Sequence, residues 1–194
     1  MQRIGVSQGR GVTGLAPAEI HLPAGQFFFG SGRVRVHTVL GTCVAIAVWH
    51  PLKRIGGMCH YLLPARGAGH AADGAPPGLY ADEVMELFAD ALRGTNTLPH
   101  EYVFKVAGGG HMFPEQLADT DCRDGGCTGA RRAGCQSVGC KNICAARVLL
   151  RGAGYGIASE HVGGQGSRRV IFEFWSGDVW LKRGAAMPGG RVAA

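Results

Sequence analysis

The chain has 194 residues, enough for one domain with a real core and too few for two large ones. Apolar residues make up 46% and charged residues 18%, which excludes a disordered, collagen-like or coiled-coil protein, and no apolar run reaches the length of a membrane span. A net charge of +6 permits an acidic partner without naming one, and the basic residues are not interleaved with aromatics as in a nucleic-acid binder.

Residues 1–19 carry scattered Arg and Gly without the continuous apolar stretch of a secretory signal, so they are expected to form a flexible leader on a cytoplasmic protein. A single domain is expected over residues 20–183, with a flexible tail over 184–194. The ordered pattern begins near Ile20–Phe29 and continues into strand-like runs at Val34–Val39, Cys43–Trp49 and Met58–Leu63. After a Gly/Ala/Pro-rich loop, the apolar stripe from Tyr80 to Arg93 predicts a helix that stops at Gly94. Tyr102–Ala107 predicts a strand closed by three glycines, and Asn142 is read as the N-cap of a second helix over Ile143–Arg151. Strands follow at Tyr155–His161, Arg169–Phe174 and Val179–Lys182, the last two joined at a Ser176-Gly177-Asp178 turn. Clustered strands broken by two helices point to an α+β fold, a layered sandwich with a mostly antiparallel or mixed sheet.

The segment from Leu40 to Pro64 carries the chemistry. Pro51 suits the second position of a turn, and a four-residue loop over His50–Lys53 pairs the flanking strands so that partner numbers sum to 103. In that register Cys43 stands opposite His60 on one face. A shift of two in the sum leaves them diagonal neighbours, whereas a shift of one separates them onto opposite faces. An imidazole beside a thiol can take its proton, making Cys43 a nucleophile and His60 its base. Gly41 and Thr42, at the strand entry, bring backbone N–H groups to where an oxyanion would form. A third group should orient the imidazole; Thr38 is the nearest hydroxyl expected at that sheet edge, and Thr42 competes with it. The competing interpretation makes Cys43 a small core residue and His60 a satisfied strand histidine. Cys59, next to His60, should point to the opposite face and into the core.

These residues resemble the CheD family of chemoreceptor glutamine deamidases. LGTCVA at Leu40–Ala45 is similar to the family's LGSCVA, and GGMCHYLLP at Gly56–Pro64 to its GGM-x-H-x-x-LP. KVAGGGHMF at Lys105–Phe113, VGCKN at Val138–Asn142 and HVGGQGSRRVIFEFWSGDVWLKR at His161–Arg183 match further family motifs in order. The resemblance implies a cysteine hydrolase that converts glutamine side chains of methyl-accepting chemotaxis receptors to glutamate through a thioester. It further implies glutamate methyl ester hydrolysis as a second activity, no cofactor, and a sandwich akin to cytotoxic-necrotizing-factor-type deamidases. It places the nucleophile on Cys43, the histidine on His60 and the catalytic threonine on Thr38, with His37 as the neighbouring alternative. It also implies docking to a CheC-type phosphatase, which keeps a second function class open: a non-catalytic chemotaxis regulator that binds a receptor or that phosphatase.

Between residues 114 and 137 the chain departs from the family as a cysteine-rich insert. Cys122, Cys127, Cys135 and Cys140 form a weak zinc pattern, since the spacings are wider than in most structural sites. Incidental free thiols are the alternative, a disulfide framework being unexpected in a reducing compartment. His111 follows the triple glycine and either lines the same cleft or is a solvated loop residue.

Overall fold

The computed structural model describes residues 2–4, 16–67, 74–112 and 137–184. In chain order the elements are β1 (Gln2–Ile4), β2 (Ala18–His21), β3 (Phe27–Ser31), β4 (Val34–Leu40), β5 (Val44–His50), β6 (Ile55–Cys59), α1 (Ala81–Arg93), β7 (Val103–Gly108), α2 (Val138–Gly152), β8 (Ile157–Val162), β9 (Arg168–Glu173) and β10 (Val179–Arg183). One sheet runs β1-β10-β9-β4-β2 and the other β3-β6-β5-β7-β8. Both are antiparallel except at one edge, where β2 runs parallel to β4 and β8 parallel to β7.

The layering follows from β5, whose seven residues are all buried. A strand covered on both faces loses the polar alternation that usually reveals its orientation. Here Val44, Ile46 and Val48 join Val84, Phe88, Phe104, Ile143 and Leu150 in a core between the sheet and both helices. Ala45, Ala47 and Trp49 join Val36, Leu40, Met58, Phe172 and Leu181 in a second core between the two sheets. The result is the expected α+β architecture in three layers: helices, the β5 sheet, and the β4 sheet.

Local boundaries differ from expectation for identifiable reasons. The strand expected from Met58 to Leu63 is β6, Ile55–Cys59, because Gly56 and Gly57 lie inside the ladder rather than before it. A side chain at Gly56 would place its Cβ 2.3 Å from the Val48 carbonyl oxygen, and one at Gly57 would come 2.8 Å from the Phe29 ring. Close approach, rather than a turn, is why glycine stands there. The connection to β5 is Pro51–Arg54, closed by the Arg54 N–H donating to the His50 carbonyl at 2.8 Å, with Arg54 in the left-handed region at φ 53°.

The second helix begins about one turn before its expected start. Its N-cap is Ser137, whose Oγ accepts from the Cys140 N–H at 3.2 Å, so Asn142 is an interior helix residue and not a cap. Gly139, in the first turn, allows α2 to press on the glycines after β7: a Cβ there would lie 2.8 Å from the Gly109 carbonyl oxygen. Two strand segments also fall within the stretch expected as a leader: β1, paired with β10, and Ala18–Glu19, paired with β4. Of the 114–137 insert only Ser137 lies among the described residues, and of the 184–194 tail only Gly184. No helix among the described residues is long and apolar enough to cross a membrane.

Candidate active site

Three side chains nominated from sequence converge on the layer between the sheets. β4 alternates inward Val36, Thr38 and Leu40 with outward Arg35, His37 and Val39, so Thr38 is 1% exposed while Val39 is 51% exposed. Across the gap, the pairing of β5 with β6 has partner numbers summing to 105, as in Ala47 with Met58, and the isolated bridge Val44–Tyr61 keeps the same register. The sum is thus two greater than expected, because the loop begins after His50 instead of at it. Cys43 and His60 become diagonal neighbours on the inward face rather than directly opposed. Cys43 packs against the inter-sheet core, and His60 is 5% exposed.

The imidazole is held by a short relay. Thr38 Oγ1 lies 2.7 Å from the Leu22 carbonyl oxygen and 2.8 Å from His60 Nδ1. A carbonyl only accepts, so the hydroxyl gives its single proton to Leu22 and must accept from Nδ1–H. That fixes the neutral tautomer with its lone pair on Nε2, a buried atom with no hydrogen-bond partner among the described residues. The His60 backbone turns away from β5, between residues that bond to it: its N–H donates to the Gln26 carbonyl at 3.0 Å and its carbonyl accepts from Gly25 at 2.7 Å. The ring's backbone is therefore anchored beside β3 while its side chain is anchored to β4.

Burial governs both titrations. It raises the Cys43 thiol above its ordinary value, opposed by hydrogen bonding with the Thr42 hydroxyl, and it lowers His60, opposed by the Leu22 carbonyl. Near neutral pH both directions favour a neutral thiol and a neutral imidazole. The Cys43 segment is itself fixed from one side: Gly110 N–H donates to the Gly41 carbonyl at 2.8 Å, and Gly109 N–H to the Cys43 carbonyl at 2.7 Å. Neither the Thr42 nor the Cys43 N–H donates to a carbonyl among the described residues. Beside Gly41 lies Met112, whose Sδ would be 3.0 Å from a Cβ, so a side chain there would press on the methionine.

Other candidates sort by face. His37 points outward, its ring centroid 5.2 Å from that of His21, and Thr42 meets the Cys43 thiol rather than the imidazole. Thr38 alone of the three contacts His60 through its side chain. Cys59 lies in the helix-side core, as expected from its neighbour's orientation. His111 is buried, not solvated, its backbone bonded to Gly164 and Gly166 on the loop before β9. Cys122, Cys127 and Cys135 lie outside the described residues; Cys140 packs in the helix-side core and, like Cys144, is disulfide-bonded. That bonding corrects the expectation of free thiols on α2. Asn142 was missed as a site residue: it is fully buried, and its Nδ2 donates to the Thr42 carbonyl at 3.0 Å and the Leu62 carbonyl at 2.7 Å. The available signal was an asparagine directly beside the apolar stripe of Ile143, Ala146 and Leu150.

Comparison with known proteins agrees with the motif pattern. The family model described as "CheD chemotactic sensory transduction" matches residues 62–183. A protein named "Probable chemoreceptor glutamine deamidase CheD 3" from Dechloromonas aromatica is 40% identical over 86% of this chain and 89% of its own length. "Probable chemoreceptor glutamine deamidase CheD" from Pseudomonas savastanoi pv. phaseolicola is 38% identical over 88% and 87%, and the protein named "CheD 1" from Leptospira interrogans is 32% identical over 85% and 92%. With its motifs, its length and its architecture accounted for together, the chain belongs to the CheD family.

Proposed function

We propose that this protein is a cytoplasmic cysteine amidohydrolase that deamidates specific glutamine side chains of methyl-accepting chemotaxis receptors. The carrying observation is the Thr38–His60 bond, which leaves His60 Nε2 unprotonated on the face it shares with Cys43. The family match begins at Leu62, so the roles of Cys43 and His60 stand on geometry and chemistry. The names of the relatives supply the substrate class.

In the proposed reaction the Cys43 thiol gives its proton to His60 Nε2 as sulfur attacks the amide carbon. With the thiol raised and the imidazole lowered, this transfer accompanies attack instead of preceding it as a stable ion pair. The N–H groups of Thr42 and Cys43 receive the tetrahedral oxyanion. The imidazolium protonates the leaving nitrogen, ammonia departs, and a thioester remains. His60 then takes a proton from water, which attacks the thioester; glutamate leaves and the thiol is restored. A glutamate methyl ester at the same carbon would lose methanol in place of ammonia. Each turnover adds one negative charge to a receptor helix.

The test is ammonia release from a purified receptor cytoplasmic fragment, with the modified sites mapped by mass spectrometry. Release that disappears in both Cys43→Ala and His60→Ala is the expected result. Undiminished release from Cys43→Ala overturns the assignment of the nucleophile.

A further inference from the structure

Three successive carbonyls flank the nucleophile, and all three are tied down. Those of Gly41 and Cys43 accept from the backbone of Gly110 and Gly109, whereas that of Thr42 accepts from the side chain of Asn142. A peptide unit is planar and trans, so its N–H points away from its C=O. Whatever holds the Thr42 carbonyl therefore also sets the direction of the Cys43 N–H.

We propose that Asn142 is a positioning residue for deamidation: by holding the Thr42–Cys43 peptide plane, it aims the Cys43 N–H at the oxyanion of the tetrahedral intermediate. This rests on the deamidase function proposed above and adds a residue to it. The orientation of the amide is forced, because Thr42 and Leu62 present carbonyls to the same nitrogen and carbonyls only accept. The second bond, to Leu62, ties the plane to the segment two residues beyond His60.

Asn142 is costly where it stands. Asparagine is a poor helix former, and here Oδ1 is buried without a hydrogen-bond partner among the described residues. A helix serving only to cover the sheet would carry an apolar residue at that position, as it does at Ile143, Ala146 and Leu150. The docking of α2 does not depend on the amide alone. Gly139 sits against Gly109, and the Tyr61 hydroxyl donates to the Asn142 main-chain carbonyl at 2.6 Å. Violations of local preference of this kind gather at functional positions.

The experiment compares wild type, Asn142→Ala, the similarly branched Asn142→Leu and Tyr61→Phe. Ammonia release from the receptor fragment gives kcat and KM, and iodoacetamide labelling of Cys43 across pH gives a readout that needs no oxyanion donor. With Asn142 removed, kcat is expected to fall about 10²-fold, the scale of losing one oxyanion donor, with KM changed less than about threefold and the labelling profile unmoved. Tyr61→Phe, which loosens the same helix without freeing the Thr42 carbonyl, is expected to keep kcat within about threefold of wild type. A kcat within about threefold in a folded Asn142 variant overturns the inference. So does an equal loss in Tyr61→Phe, or a labelling profile that collapses along with kcat. A wild-type protein that releases no ammonia overturns the deamidase function itself and this inference with it.

Discussion

Cys43, just before β5, and Cys59, at the end of β6, face opposite sides of the same sheet. Cys59 lies between the sheet and the helices, fully buried, where desolvation pushes its thiol up to about 12 and its sulfur accepts the Ile46 N–H at 3.4 Å. Cys43 lies at the mouth of the layer between the sheets, half-buried, with the Thr42 hydroxyl opposing the effect of burial and the Thr38–His60 pair on its face. Residue type is the same and strand parity differs. A thiol becomes chemically useful when the strand turns it toward a base at the end of a layer, and inert when it is turned into a helix-covered core.

The contrast is sharpest under alanine substitution. Cys43→Ala is expected to lower ammonia release by about 10³-fold or more with little change in melting temperature, since in the proposed reaction sulfur is the attacking atom. Cys59→Ala is expected to do the reverse, keeping kcat within a few-fold while costing about 1 kcal/mol of stability through the small cavity it leaves. Substantial activity in Cys43→Ala, or a large kcat loss in Cys59→Ala measured on folded protein, breaks the comparison. The next effect is that of the Thr38 relay. Thr38→Val preserves shape but removes the acceptor for Nδ1–H and the donor for Leu22, so kcat should fall about tenfold or more, together with about 1–3 kcal/mol of stability. Unchanged kcat would show that the imidazole needs no such anchor.

Reactivity toward an alkylating agent separates the two thiols without any substrate. In native protein at pH 8, mass spectrometry should find Cys43 modified many-fold faster than Cys59, with the two rates converging in denaturant. The smallest expected effect is on acid stability. Burial lowers His60, so as pH falls below about 6.5 the unfolded chain takes up a proton before the folded one does, and stability declines. The melting temperature should drop through that interval in wild type and less steeply in His60→Ala; equal slopes would show that the ring is better solvated than its position implies.

Much of the site was legible because parity is legible. The alternation of Val36, Thr38 and Leu40 with Arg35, His37 and Val39 marks the inner face of β4, and adjacency alone sends Cys59 and His60 to opposite sides. β5 gives no such signal, since both its faces are apolar, and its facing had to come from the hairpin register. That register was displaced by two residues because the chain holds its strand through His50 before turning, and by chance of parity the pair survived. The start of α2 lies at Ser137 rather than at Asn142, and Gly139 inside its first turn is accommodated because the glycines after β7 press against it. Contacts between segments distant in sequence, such as α2 with the Thr42 carbonyl, leave no periodic trace.

The four-residue connection Pro51–Arg54 carries a consequence for how this chain tolerates change. Were its length changed by one residue and the four-residue turn kept by a slip in register, His60 would face the helix-side core and Cys59 the layer between the sheets. A change of two would slide the pair along the same face. A slip of one in register exchanges His60 for Cys59 on the inner face, whereas a change of length taken up within the loop leaves the pair in place.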